Sequence, residues 1–496
     1  MDAYTISVIV FVVILAILIW FDRKNFRRDF ILLTRRTKRG KNFIIRKGRQ
    51  WPRFYKWVGN IAIVICFLAS IWIFYQLLSI TFKNLISTEA IPAAGFLFPS
   101  PTSEVLIGPG YFAIPFWYWI ISIAILALFH ELSHGFMAAR ERIRIKSLGW
   151  GFLAIIPLAF VEIDENQAKK KPATAQLRVF SAGSFANFIL AAICFVILSG
   201  LVYACFQPTG VGFYNWPAVS VEQKDIIRIA NVTNISDLVS FDPNEIVVVE
   251  TKKGTYYSRV GMLLNQSTKN DIILYEDWPA FRTNLTGMIK RIENWSITNV
   301  DNLKSALERI GPEKEIEIET ENGTYLLKTA EEPTPKFEPN LDLAVLLFAE
   351  HILPGISDLF LSEKSWAEVK QKEAFWSWAR ESSPFITKRA EEKIALLDEK
   401  ASRLPKSGFI GISGIYQGLD LKAPLKPYKE FLDFLQGLLF WMFLINLGVG
   451  AFNLLPIRGL DGGRMWEILL KRKWAIDCLS TITLFIILAN FLFLVT

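Results

Sequence analysis

Histidine is nearly missing from this chain, with three in 496 residues, and cysteine is scarce at four. Cys66, Cys194, Cys205 and Cys478 all fall in or beside long apolar runs, which excludes a disulfide framework and a cysteine-based zinc site. Acidic residues are short in one place. Residues 22–56 hold 14 Lys and Arg against only Asp22 and Asp29, more than the net charge of +8 for the whole chain. The basic excess is one segment's property, so no nucleic-acid partner is expected. Polar stretches are also few: 52% of residues are hydrophobic and the mean hydropathy is +0.31, which excludes an ordinary soluble domain. Six apolar segments reach spanning length, roughly 4–21, 57–82, 112–139, 177–206, 431–456 and 475–495. The first lacks a basic leader and a small-residue cleavage site, so a retained anchor is expected and not a signal peptide. The lipid bilayer is the first partner.

Charge sets the topology. A basic 22–56 between two spans predicts a cytoplasmic loop by the positive-inside bias, in contact with anionic lipid. Residues 83–110, with Lys83 as their only basic residue, then lie outside. The third span runs inward to the basic stretch Arg140–Lys146. Residues 147–161 are apolar but too short to span, and Gly149, Gly151 and Pro157 suit a re-entrant loop or hairpin. Lys169, Lys170, Lys171 and Arg178 mark the cytoplasm again, which places 207–430 outside. Span five returns inward to Lys471-Arg472-Lys473. Six Asn-x-Ser/Thr sequons, at Asn231, Asn234, Asn265, Asn284, Asn294 and Asn322, all fall in that outer region.

The outer region repeats itself. Trp216-Pro217-Ala218 before Ile226–Ile235 is matched by Trp278-Pro279-Ala280 before Met288–Ile297, and Thr251–Tyr256 is echoed by Thr320–Tyr325. Asn302–Arg309 reads as a short helix and Glu315–Glu319 as an exposed strand. This resembles two tandem PDZ-like domains, without the usual carboxylate-binding loop. Residues 341–405 break the pattern: Trp366, Phe375, Trp376 and Trp378 sit among charges, either on a membrane-surface helix or in the core of a small helical insert. His351, the third histidine, reads as structural or solvent-facing. Gly408–Ile412 looks like a returning strand. The expected organisation is two N-terminal spans with their basic loop (1–110), the first half of a catalytic membrane core (111–206), PDZ-like domains (207–265 and 266–335), the helical insert and strand (336–430), and the second half of the membrane core (431–496). The fold class is a polytopic α-helical membrane protein with an inserted extracytoplasmic α+β region.

The chemistry centres on Leu128-Phe129-His130-Glu131-Leu132-Ser133-His134-Gly135, inside the apolar run from Tyr111 to Ala139. On a helix, residues four apart share a face with Cβ atoms about 5–6 Å apart. His130 and His134 can therefore offer two nitrogens to one metal ion, with Glu131 beside them as a general base for the attacking water. Two imidazoles and a carboxylate in hydrocarbon are costly unless they pair or bind something. A catalytic zinc usually takes a third protein ligand. The run Asn453-Leu454-Leu455-Pro456-Ile457-Arg458-Gly459-Leu460-Asp461-Gly462-Gly463 breaks span five at the depth expected for His130, which can turn Asp461 toward the imidazoles.

Together these motifs resemble the site-2 protease family of intramembrane zinc metalloproteases. That pattern pairs the embedded His-Glu-x-x-His with a distant Asn-x-x-Pro…Leu-Asp-Gly, as at Asn453–Gly462, and a Gly-x-x-x-Asn element, as at Gly183–Asn187. The resemblance covers about 112–206 and 407–470, and departs from it at Ser184, where relatives often have proline. It implies that His130, His134 and Asp461 bind Zn2+, that Glu131 activates water, and that Asn187 and Asn453 hold the substrate strand or the oxyanion. It also implies substrates that are single-span segments of membrane-anchored proteins, cut after another protease has removed their outer domain. The 147–161 element could pair with an unwound substrate as an added strand. Low disulfide content points to a prokaryotic, archaeal, plasma membrane. A non-catalytic scaffold binding peptides through the PDZ-like domains is the alternative, but it would be expected to lose Glu131 first. Another membrane zincin would take Glu as third ligand, and no helix here supplies it. A metal transporter would leave Glu131 without a task.

Overall fold

The computed structural model describes residues 2–29, 32–86, 95–108, 111–153, 156–229, 235–267, 269–335, 337, 343, 346–347, 350, 357–383, 386–404 and 406–492. His351 and the sequons at Asn231 and Asn234 lie outside the described residues. Contacts divide the chain into two compact units, residues 1–204 with 425–496, and residues 205–424.

The first unit opens with helix α1 (Ala3–Phe21), capped by the Asp2 carboxylate on the Thr5 N–H. The basic segment between the first two spans is itself folded. It forms strands β1 (Phe26–Asp29) and β2 (Leu32–Thr37) and helix α2 (Lys41–Gln50), ahead of the 35-residue helix α3 (Pro52–Ile86). Strands β3 (Phe96–Ser100), β4 (Leu106–Gly108) and β5 (Tyr111–Pro115) form a small sheet, so the third span starts only after Pro115, as α4 (Phe116–Arg140). Helix α4 ends in a Schellman closure: the N–H groups of Arg142 and Ile143 donate to the carbonyls of Ala139 and Ala138, with Arg142 at φ 56°. The apolar 147–161 stretch is the hairpin of β6 (Ile145–Leu153) and β7 (Ile156–Ile163). Its sheet runs β1-β2-β6-β7, so the basic segment extends it by two strands. Gly151 is needed there, because a Cβ would lie 2.0 Å from the Leu33 carbonyl oxygen. Gly48 does the same for α2, where a Cβ would meet the Phe136 carbonyl of α4 at 2.5 Å. Helices α5 (Glu165–Lys169) and α6 (Ala173–Cys205) follow.

Among its described residues the second unit holds one two-stranded pair and two larger antiparallel sheets. One has the order β10-β11-β12-β13-β9, from β9 (Ala218–Glu222), β10 (Ile226–Ile229), β11 (Ile246–Thr251), β12 (Gly254–Arg259) and β13 (Asp271–Tyr275), with helix α7 (Val260–Gln266). Its core alternates as half-buried strands must: Val247 and Val249 point in, Val248 out. The other runs β17-β16-β14-β8-β20, from β8 (Phe206–Asn215), β14 (Ile289–Ile292), β16 (Glu315–Thr320), β17 (Gly323–Lys328) and β20 (Ser413–Leu421); β15 (Trp295–Ser296) flanks β14. Helices α8 (Pro279–Arg282) and α9 (Val300–Ile310) belong to this half, and β18 (Ala330–Glu331) pairs with β19 (Gly408–Phe409). The repeat is visible at the turns. Thr251 faces Gly254 across β11–β12 as Thr320 faces Gly323 across β16–β17, and each threonine hydroxyl donates to that glycine's carbonyl. The strands do not respect a division at 265/266. Strand β13 closes the first sheet against β9, while β8, ahead of the first repeat, pairs with β14 and β20 in the second. Residues 357–404 form helices α10 (Ser357–Phe360), α11 (Trp366–Ser382) and α12 (Thr387–Arg403). Trp366, Phe375 and Trp376 are buried between them, which decides for a packed insert.

The chain re-enters the first unit as α13 (Lys429–Phe452), a turn over 453–460, α14 (Asp461–Leu470) and α15 (Lys473–Leu492). Among the described residues, six helices are long and apolar enough to cross a membrane, as the composition predicts: those starting at Ala3, Pro52, Phe116, Ala173, Ala423 and Lys473. The fifth stops at Phe452, four residues before the expected end. The protein is a polytopic integral membrane protein with a sheet-rich middle region.

Candidate metal centre

Helix α4 places His130 and His134 one turn apart on one face, as the spacing requires. Helix α6 runs beside them, and Val179, Gly183 and Asn187 share its facing side at i, i+4 and i+8. Gly183 is there because nothing larger fits. A Cβ at that position would stand 2.3 Å from His134 Nε2 and 2.6 Å from His130 Nε2. The third group arrives from the break after α13. Asp461 is the first residue of α14, and Gly462 and Gly463 let that helix start against the carbonyls of Leu454 and Ile457, where a Cβ would lie at 2.0 Å in each case.

The three side chains converge. His130 Nε2 lies 3.1 Å from His134 Nε2, and each lies 3.3 Å from Asp461 Oδ2. Ligands held at about 2.0–2.1 Å by a tetrahedral zinc stand about 3.3–3.4 Å from one another. The triangle has the size of a zinc site and the donor set of one.

Each imidazole is held at its other nitrogen. His134 Nδ1 is 2.7 Å from the Val179 carbonyl, which can only accept, so Nδ1 carries the proton and Nε2 keeps its lone pair. His130 Nδ1 is 3.1 Å from the Asn187 amide nitrogen, while Asn187 Oδ1 is buried without a partner among the described residues. Turning the amide over gives that oxygen the His130 Nδ1–H and frees Nε2 in the same way. Ser184, where the resemblance leads one to expect proline, donates to Asp461 Oδ2 at 3.4 Å.

Glu131 points into the same cavity of about 440 Å³, lined also by Leu158, Val161, Glu162, Asn453 and Arg464. Its Oε2 accepts the Val161 N–H at 2.9 Å, fixing the carboxylate between α4 and β7. Asn453, from the break, lines the cavity; Asn187 does not. Asn187 is fully buried, and its amide lies against the His130 imidazole. Sequence reasoning missed Gly183 as the cradle of both imidazoles, and Val179 and Ser184 as partners of the ligands. The four-residue spacing of 179, 183 and 187 was the available signal.

Two histidines from one spanning helix, an aspartate from the break in another and a carboxylate beside them define the class: a membrane protein with a His–His–Asp cluster whose donor set fits a metal ion. The family is settled by sequence: the model of peptidase family M50 matches residues 118–494, and the chain belongs to this family, the site-2 protease family of membrane metalloproteases. It is 29% identical over 246 residues to an uncharacterized protein of Methanocaldococcus jannaschii, covering 46% of this chain and 62% of that protein. It is 25% identical over 167 residues to a membrane-bound transcription factor site-2 protease homolog of Arabidopsis thaliana, covering 34% of this chain and 29% of that one. The chain thus spans less than two thirds of either relative's length.

Proposed function

We propose that this protein is an intramembrane zinc endopeptidase that hydrolyses peptide bonds in transmembrane segments of membrane-anchored proteins. One observation carries the reading: the Nε2–Nε2–Oδ2 triangle shares its cavity with the pinned carboxylate of Glu131. His130, His134 and Asp461 would hold zinc, which supplies a Lewis acid for the scissile carbonyl and a lowered pKa for water. Glu131 takes the proton of the attacking water and passes it to the leaving amine. Val161 holds one oxygen of that carboxylate, so the other is the one that moves the proton. Asn453 binds the substrate strand or the developing oxyanion from the cavity wall. Asn187 and Val179 keep the imidazoles in the ligating tautomer.

Strand β7 is the last strand of its sheet among the described residues, and it lines the cavity. An unwound substrate segment pairs with it as an added strand. The two sheets of 205–424, read as PDZ-like and extracytoplasmic, filter or dock substrates already shortened by another protease. A prokaryotic plasma membrane, with the archaeal relative in support, is the setting.

The test compares purified wild type with Glu131→Gln for zinc content and for cleavage of a membrane-spanning substrate. Both proteins are expected to hold about one zinc per chain, with cleavage by the variant down by about 10²–10⁴-fold. A wild type that takes up no zinc at saturating metal, or a variant that cuts as fast as wild type, overturns the proposal.

A further inference from the structure

A helix that stops inside a membrane leaves carbonyls without intrahelical partners, and protein must satisfy them where water is absent. Helix α13 stops at Phe452, and the turn before Asp461 has such carbonyls. Four are used locally: the Gly462 N–H donates to the Asn453 carbonyl at 2.8 Å, the Ile457 N–H to Leu455 at 2.7 Å, the Leu460 N–H to Ile457 at 3.1 Å and the Arg464 N–H to Leu460 at 3.1 Å. Two more, those of Leu454 and Pro456, are taken by hydroxyls from elsewhere. Ser70 of α3 donates to the Leu454 carbonyl at 2.6 Å and accepts the Trp466 indole N–H of α14 at 2.8 Å. From α15, Ser480 donates to the Pro456 carbonyl at 3.0 Å and accepts the Arg458 N–H at 3.1 Å. Both serines are buried, at 1% and 6% exposure. Among the described residues, neither α3 nor α15 supplies a ligand or a residue of the cavity wall.

We propose that Ser70 and Ser480 are positioning residues that fix the break in the geometry that brings Asp461 to the two histidines. The inference rests on the metal site of the proposed function. Its mechanical link is short. The Leu454 carbonyl bonded by Ser70 is the same group against which Gly462, the neighbour of Asp461, is packed without room for a Cβ. A shift of Leu454 therefore moves the start of α14 and the carboxylate with it. Ser70 also joins the turn to α14 directly, through Trp466.

The experiment loads the full-length protein with cobalt(II) in place of zinc. Affinity is read by competition with a chelator, and ligand geometry by the visible d–d absorption. Ser70→Ala and Ser480→Ala are each expected to weaken binding about tenfold, the low end for groups behind the ligands, and to change the absorption band. Ser70→Thr, which keeps the hydroxyl, is expected to restore both. Ser79→Ala is the control, since Ser79 is equally buried in α3 and its hydroxyl has no partner among the described residues. Ser480 approaches the turn on a different helix, so its variant tests the idea even where Ser70→Ala does not fold. Wild-type affinity and band shape in both alanine variants overturn the inference, as does an equal loss in Ser79→Ala. A wild type that binds no cobalt or zinc instead defeats the metal site itself, which is a distinct result.

Discussion

Adding one methyl group at Gly183 is the sharpest test of the site's geometry. The Cβ of Gly183→Ala would lie 2.3 Å from His134 Nε2, and 2.6 Å from both Cε1 and Nε2 of His130. Ordinary contact needs about 3.5 Å, so both rings must retreat by about 1 Å. They have little freedom to do so, because Val179 and Asn187 hold their Nδ1 atoms. Zinc–ligand distances tolerate only about 0.2 Å. Zinc affinity is therefore expected to fall by more than about 100-fold, or about 2.8 kcal/mol at 1.4 kcal/mol per decade. The helix should not suffer, since alanine is favoured over glycine inside helices by about 0.5–1 kcal/mol. Gly200→Ala separates the effects: it lies in the same helix with nothing within 4 Å of its Cβ, and it should keep full zinc and activity. The assay is zinc content after dialysis against a graded chelator, with thermal unfolding alongside. A Gly183→Ala protein holding one zinc per chain at wild-type affinity would refute the assigned geometry.

Two further outcomes follow from the same structure. Asn187→Ala leaves the His130 Nδ1–H without its acceptor and should weaken metal binding about 10–100-fold without altering the cavity wall, as measured by chelator competition; unchanged affinity would remove Asn187 from the site. In the insert, hydrogen bonds from Lys372 and Lys400 hold the Glu363 carboxyl below its ordinary value, so its stabilising contribution is present above that value and is lost as pH falls through the depressed one. Near-ultraviolet circular dichroism of the buried Trp366 and Trp376 should then show α11 and α12 loosening only below about pH 4.3, and less so in Glu363→Gln. Loosening that begins near neutral pH would refute it.

The clustering of His130, His134 and Asp461 was legible before the fold because it is written in residue type and spacing. His130 and His134 are four apart, histidine is otherwise almost missing, and a break rich in glycine carries Asp461. The six spans were legible for a similar reason: bilayer thickness dictates run length. Secondary structure within the basic segment was not legible. Its strands are short, and β2 is held by pairing with β6, which lies more than a hundred residues further on. The sheet boundaries of the middle region escaped for the same cause, since β8 finds β20 across about two hundred residues and no local pattern names the partner. Asn187 was assigned to substrate by resemblance, and only burial showed which neighbour its amide serves.

Local pattern alone thus suffices for a membrane protein with two histidines on one helical face and an acid beside them, because helical periodicity and hydropathy act over a few turns. Folding in three dimensions decided the rest: that Gly183 makes room for both imidazoles, that Val179 and Asn187 set their tautomers, and that hydroxyls from two outlying spans take the carbonyls of the Asp461 turn. Those contacts join residues from 24 to 384 positions apart. Hydrogen-bonding groups buried in hydrocarbon must find partners wherever the packing brings them, and packing is a property of the folded chain.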